Sequence, residues 1–196
     1  KTNIISNAIM DFEHLEKKMK NMLADYPDRK CSVYLLHGDL TPGQMTGLYR
    51  NDKIKGMINI AHGEGFGLPL FEAAREGLPI TTIGWSGQID FLHHDGKDYF
   101  NKVDCSLAPI QPEAVWPGVL ERECMWAHAD QGSYKMALRK AYKNHDEMLK
   151  LAETVQGIID SKFRDEVLYK LFVDNILGFD SSIIDAEEDD TVLEFE

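Results

Sequence analysis

Residues 54–84, IKGMINIAHGEGFGLPLFEAAREGLPITTIG, constrain this chain more than any other stretch. The apolar run at 57–61 is short enough for a buried strand and is bounded on both sides by breakers. The chain then breaks at His62-Gly63-Glu64-Gly65-Phe66-Gly67, where glycines at alternate positions permit a sharp turn and a close approach of backbone to another molecule. Pro69 suits the first turn of a helix. That helix is predicted over 69–76, with Gly77 placed to cap its C-terminus. Pro79 prevents its return, and Ile80-Thr81-Thr82-Ile83 predicts the next strand. In such strand, loop, helix, strand units, ligands bind at the carboxyl ends of the strands. Unpaired N–H groups at the start of the helix favour a phosphate there.

Two carboxylates break the pattern. Glu64 lies inside the glycine loop, and Glu72 lies about one turn into a helix whose neighbours are Leu70, Phe71, Ala73 and Ala74. A carboxylate among apolar neighbours is costly unless hydrogen-bond donors meet it. Sugar hydroxyls are such donors, and so are the members of a polar network. With seven residues between them, one glutamate reaches from the loop and the other from the helix toward a single cleft.

The run GEGFGLPLFEAAREGLPI, with Glu64 and Glu72 as its two acids, resembles the E-x7-E motif of the retaining GT-B glycosyltransferases that use nucleotide sugars. That family writes roughly E-G-F-G-L-P-x-x-E-A-x-x-x-G-x-P, and nearly every fixed position is matched. A motif of this length and order is specific, whereas three glycines alone would not be. Trp85-Ser86-Gly87 and Asp90 also resemble the family's next segment. The similarity covers residues 32–175. It implies an α/β fold: a Rossmann-like parallel sheet with helices on both faces, the C-terminal half of a GT-B enzyme, followed by C-terminal helices.

The resemblance also implies roles. Glu64 would lie by the donor sugar as the catalytic-site acid, and Glu72 would hold the ribose hydroxyls. The backbone N–H groups of Gly65, Phe66, Gly67 and Leu68 would face sugar and diphosphate, a role compatible with a tight turn and helix start. Gly38 and Leu40 stand where family members place the nucleobase, though an ordinary turn before a capped helix explains them equally well. Ser86 and Gly87 would approach the diphosphate, with a plain N-cap as the alternative for Ser86. Met125-Trp126-Ala127-His128-Ala129-Asp130 is weakly similar to a W-x-x-x-D element of some members. The first strand–helix unit of this half, with its Arg and Lys partners for the diphosphate, has no counterpart.

Composition narrows the partners. The net charge of -12 argues against nucleic acid, whose phosphates need a basic face. It argues equally against docking on anionic lipid. No apolar run approaches the ~20 residues needed to span a bilayer. Cys31, Cys105 and Cys124 are odd in number and form no CxxC, so reduced thiols in a cytoplasmic protein are the simple expectation. Lys1 is not a natural start, so an upstream part is expected.

In chain order, Asp11 is placed to cap a helix with Phe12, Leu15, Met19, Met22, Leu23 and Tyr26 inward, ended by Pro27. Glu13 with Lys17 and Glu16 with Lys20 have the favourable orientation on its exposed face. Residues 31–36 predict a buried strand, and Thr41 and Pro42 open a helix with Met45, Leu48 and Tyr49 inward. After the central unit, Ser86 is placed to cap a short helix, residues 99–103 predict a strand, and 104–118 a loop. Helices follow from about 133, at 146–160 and at 165–177, the last ended by Gly178. One nucleotide-sugar-binding domain over 1–178 and an acidic tail over 179–196 are expected.

Other sites fail on the residues. His93-His94-Asp95 has metal-ligand types, but neighbours in one turn do not converge. His62 is better read as a structural histidine than as a cleft residue. Trp85, Trp116 and Trp126 are expected in the core. A dinucleotide oxidoreductase is disfavoured because Leu68-Pro69 breaks the G-x-G-x-x-G spacing and no acid ends the strand at 80–83. The resemblance implies transfer from a nucleoside-diphosphate sugar with retention and with no metal or other cofactor. The sugar, lipid-linked or protein acceptor would enter through an N-terminal domain that is missing here. The alternative is a non-catalytic sugar-nucleotide-binding module or subunit that needs a partner chain.

Overall fold

The computed structural model of the protein describes residues 8–177. The chain divides into two compact units between Leu48 and Tyr49. Gly178, the expected stop of the last helix, and the acidic tail at 179–196 lie outside the described residues.

The first unit opens with α1, Ile9–Ala24. Phe12, Leu15, Met19 and Leu23 form its half-buried stripe, at helical spacing. Asp11 is not its cap. The cap position is Ala8, and Asp11 sits in the first turn, where the helix dipole favours a negative charge. Lys20 and Glu16 form the expected ion pair at 2.8 Å. The helix ends before Pro27, at Ala24.

Residues 31–36 do not form the expected buried strand. Val33, Tyr34 and Leu36 are 44%, 88% and 40% exposed. Their β-favouring composition is satisfied only by a neighbouring strand that takes up the backbone groups, and no described strand pairs with 31–36. A turn at Gly38 leads to α2, Pro42–Tyr49. Its start is a reciprocal cap. The Gln44 N–H donates to Thr41 Oγ1 at 3.3 Å, and the Thr41 N–H donates to Gln44 Oε1 at 2.8 Å.

The second unit is α/β. β1, Met57–Asn59, leads through the glycine loop to α3, Leu68–Arg75, and then to β2, Ile80–Ile83. Gly77, at φ 76°, ends α3 in a Schellman arrangement: its N–H reaches Ala74 O and that of Leu78 reaches Ala73 O, both at 3.0 Å. α4, Ile89–Leu92, precedes a hairpin of β3, His93–His94, and β4, Lys97–Asp98. Asp95 and Gly96, both with positive φ, make its two-residue turn. β5, Asn101–Val103, completes a parallel sheet of order β1-β2-β5.

Residues 104–118 are not all loop. β6, Cys105–Pro109, pairs antiparallel with β7, Met125–Ala129, through five residue pairs. α5, Gln131–Lys143, α6, His145–Lys162, and α7, Asp165–Leu177, follow. α5 thus begins two residues before the expected 133, and Asp130 caps it, accepting from the Ser133 N–H at 2.6 Å. Among the described residues no helix is long and apolar enough to cross a membrane.

All four residues of β2 are buried, as expected of a parallel strand covered on both faces. On one face Ile83 and Val103 pack with Ala127 and Ala137. Asn101 is buried on the same face, donating to Thr81 Oγ1 at 3.0 Å and to the Ala137 carbonyl at 2.8 Å. α6 contributes Met148, Ala152, Val155 and Ile159, a single stripe at helical spacing.

Candidate functional site

β1, β2 and β5 run parallel, so their carboxyl ends share one edge of the sheet. Two connections leave that edge close together: the glycine loop after β1 and the turn at 84–88 after β2. Ser86 joins them. Its Oγ accepts from the Glu64 N–H at 3.0 Å and donates to the Glu64 carbonyl at 2.7 Å. The Gly87 N–H donates to the same carbonyl at 3.0 Å. Gly87 has to be glycine here, because a Cβ would overlap the Gly65 carbonyl. Ser86 itself has φ 79°, a conformation disfavoured for a residue with a Cβ and held by these bonds. Ser86 is therefore not the N-cap of α4, whose cap position is Gln88. The hydroxyl of Ser86 and the N–H of Gly87 are engaged with the Glu64 peptide.

The loop is anchored on its other side by Phe66. Its ring packs among Phe71, Phe91 and Phe163, with centroids 5.2, 5.2 and 6.2 Å away. Gly67 then takes a left-handed conformation, φ 86° and ψ 44°, and opens α3. The N–H groups of Gly65, Phe66, Gly67 and Leu68 have no hydrogen-bond partner among the described residues. Four such donors in succession at a helix start form an anion-binding arrangement.

The Glu64 carboxylate accepts from Asn59 Nδ2 at 2.7 Å, and Asn59 Oδ1 accepts from the Ala61 N–H at 2.7 Å. Asn59, the last residue of β1, thus holds both the acid and the chain leading to it. Glu72 accepts from the Tyr49 hydroxyl at 3.4 Å. Burial first, and the adjacent carboxylate second, push the Tyr49 phenol up to about 12. Sequence reasoning missed both partners. Asn59 carried a signal, as the polar end of an apolar run five residues before Glu64. Tyr49 read only as part of the inner face of a helix.

His62 has structural duties. Its Nδ1 lies 2.8 Å from the Ala127 carbonyl, and its ring stacks on Trp126 at 4.6 Å and 13°. It ties the loop to β7. Trp126 is half-buried in that stack, but Trp85 and Trp116 are 46% and 67% exposed and do not belong to the core. Asp130, the acid of the W-x-x-x-D element, serves as the cap of α5. His93 and His94 are engaged separately, His93 with Asp98 at 2.6 Å and His94 with Lys162 at 2.9 Å. Gly38, at φ 100°, and Leu40 lie in the first unit, in the half-buried turn before α2. Cys31, Cys105 and Cys124 are free thiols.

Comparison of the chain with protein-family models, curated proteins and solved structures returned no match.

Proposed function

We propose that the second unit is the donor-binding half of a retaining GT-B glycosyltransferase, acting on a nucleoside-diphosphate sugar without a metal or other cofactor. The observation that carries this reading is the row of unpaired N–H groups at 65–68, with Glu64 in the same loop and Glu72 one turn into the helix that follows. The E-x7-E resemblance of residues 64–72 supplies the chemistry. The amides and the positive end of α3 would receive the diphosphate, and Glu72 the ribose hydroxyls. Glu64, oriented by Asn59, would lie by the sugar. Ser86 and Gly87 would act by fixing the loop.

In the transfer, the bond from the anomeric carbon to the phosphate oxygen breaks and a bond to the acceptor oxygen forms on the same face. The acceptor proton passes to the departing phosphate. Fixed dipoles aimed at that developing charge supply the catalysis. Neither glutamate has to act as a nucleophile. The acceptor, whether sugar, lipid-linked or protein, would be held by a separate domain, and a cytoplasmic location suits the reduced thiols.

The test is binding and transfer together. A thermal-shift panel of UDP, GDP and ADP sugars is expected to show stabilisation by one base. Glu72→Gln should weaken that binding about tenfold, since a carboxylate is the stronger acceptor for hydroxyls. A variant that binds all three as well as wild type does removes the ribose role. Binding without transfer, even with an acceptor domain supplied, would favour a non-catalytic sugar-nucleotide module.

A further inference from the structure

We propose that Tyr49 is a positioning residue for Glu72, holding one carboxylate oxygen so that the other faces ligand hydroxyls. The proposal rests on the reading of Glu72 given above. Tyr49 is the last residue of α2 and the one buried residue of that helix. A phenylalanine would fill the same space, so the hydroxyl has to be explained by what it touches. It touches Glu72 Oε2 at 3.4 Å. Glu72 Oε1 has no hydrogen-bond partner among the described residues and remains available to a ligand.

Two consecutive residues of the second unit, Tyr49 and Arg50, reach α3. Tyr49 reaches Glu72, and Arg50 reaches Glu76, one turn further along α3. The cation thus goes to Glu76 and the neutral phenol to Glu72. A cation on Glu72 would offset its charge and weaken it as an acceptor. A phenol orients it and leaves the charge in place. Burial and the neighbouring carboxylate hold the phenol in its protonated form well above neutral pH, so it stays a donor.

The experiment compares ribose recognition with phosphate recognition. Affinities of wild type, Tyr49→Phe, Arg50→Gln and Glu72→Gln are measured for UDP, GDP and ADP, for their 2′-deoxy counterparts and for inorganic pyrophosphate. Tyr49→Phe is expected to reduce the preference for ribose over 2′-deoxyribose about fivefold, the effect of losing one hydrogen bond to a charged group at long range. Pyrophosphate affinity should stay within about twofold, which also reports that the variant is folded. Arg50→Gln, which removes the neighbouring contact with α3, should leave the preference unchanged. An unchanged preference in Tyr49→Phe, or an equal loss in Arg50→Gln, overturns the positioning role. If Glu72→Gln alone loses the preference, only the Tyr49 inference falls. If wild type has no preference, the reading of Glu72 falls with it.

Discussion

Gly87 and Gly96 are both turn glycines, but they are required for different reasons. Gly96 has φ 74° and open space around its Cα. Gly87 faces the Gly65 carbonyl at a distance that admits no Cβ. Gly96→Ala should therefore cost about 1 kcal/mol, the conformational penalty alone. Gly87→Ala should cost about 2–3 kcal/mol, as an overpacked site does, and should also weaken nucleotide binding. Urea unfolding of both variants checks the order, and equal losses would mean that the contact between turn and loop is not tight. Tyr49 gives a second prediction. Its folded-state pKa is pushed up to about 12 from the ordinary value of 10.0. The stability tied to its protonated form is complete below pH 10 and is lost as pH rises toward 12, because only the unfolded chain then releases the proton. Spectrophotometric titration should find one late tyrosine, and Glu72→Gln should bring its midpoint down. A midpoint that does not move would separate the phenol from the carboxylate.

Three helix starts differ in how their first N–H groups are met, and α1, α4 and α6 share with α3 the lack of a side-chain cap. α2 has a reciprocal cap between Thr41 and Gln44, and α5 has the Asp130 carboxylate on the Ser133 N–H. α3 has neither. Gly67 at its cap position offers no side chain, and Pro69 removes one N–H. What remains is a set of donors without a hydrogen-bond partner among the described residues. A structural helix is expected to lose about 1 kcal/mol when its cap is removed. Asp130→Ala should show that loss in thermal unfolding without altering nucleotide affinity, since its carboxylate serves α5 alone. A loss of nucleotide affinity in Asp130→Ala would bring the W-x-x-x-D element back into the site.

Charge acts over the whole molecule. The chain carries a formal net charge of -12, yet its proposed ligand is an anion. Lys102, whose stem lies across Gly84, is engaged with Asp98 at 3.0 Å. Attraction of the proposed ligand at the glycine loop would then rest on amide dipoles, which act at short range. Added salt screens the long-range repulsion between protein and nucleotide. ADP, GDP or UDP should consequently bind equally well or slightly better at 0.5 M salt than at 0.05 M. A steep fall with salt would point to cationic side chains in the site.

The central unit was legible in the sequence because its signals are local. Gly77 and Pro79 mark the end of α3 and the start of β2, and the alternate glycines mark the loop between β1 and α3, within one or two residues of where the structure places them. Glycine, proline and a short apolar run act through their own backbone preferences, whatever surrounds them. Strand pairing does not. Residues 31–36 have the composition of a strand but no described partner, while β6, in a segment rich in proline, forms a ladder because β7 lies beside it. The roles of Ser86, Asn59 and Tyr49 were hidden for the same reason. Each depends on a hydrogen bond to a residue brought near by the fold, from Ser86 to Glu64, from Asn59 to Glu64 and from Tyr49 to Glu72. Chain chemistry alone set the loop and its two acids. Only the pairing of β2 with β1, and the approach of Tyr49 to α3, decided which neighbours hold them in place.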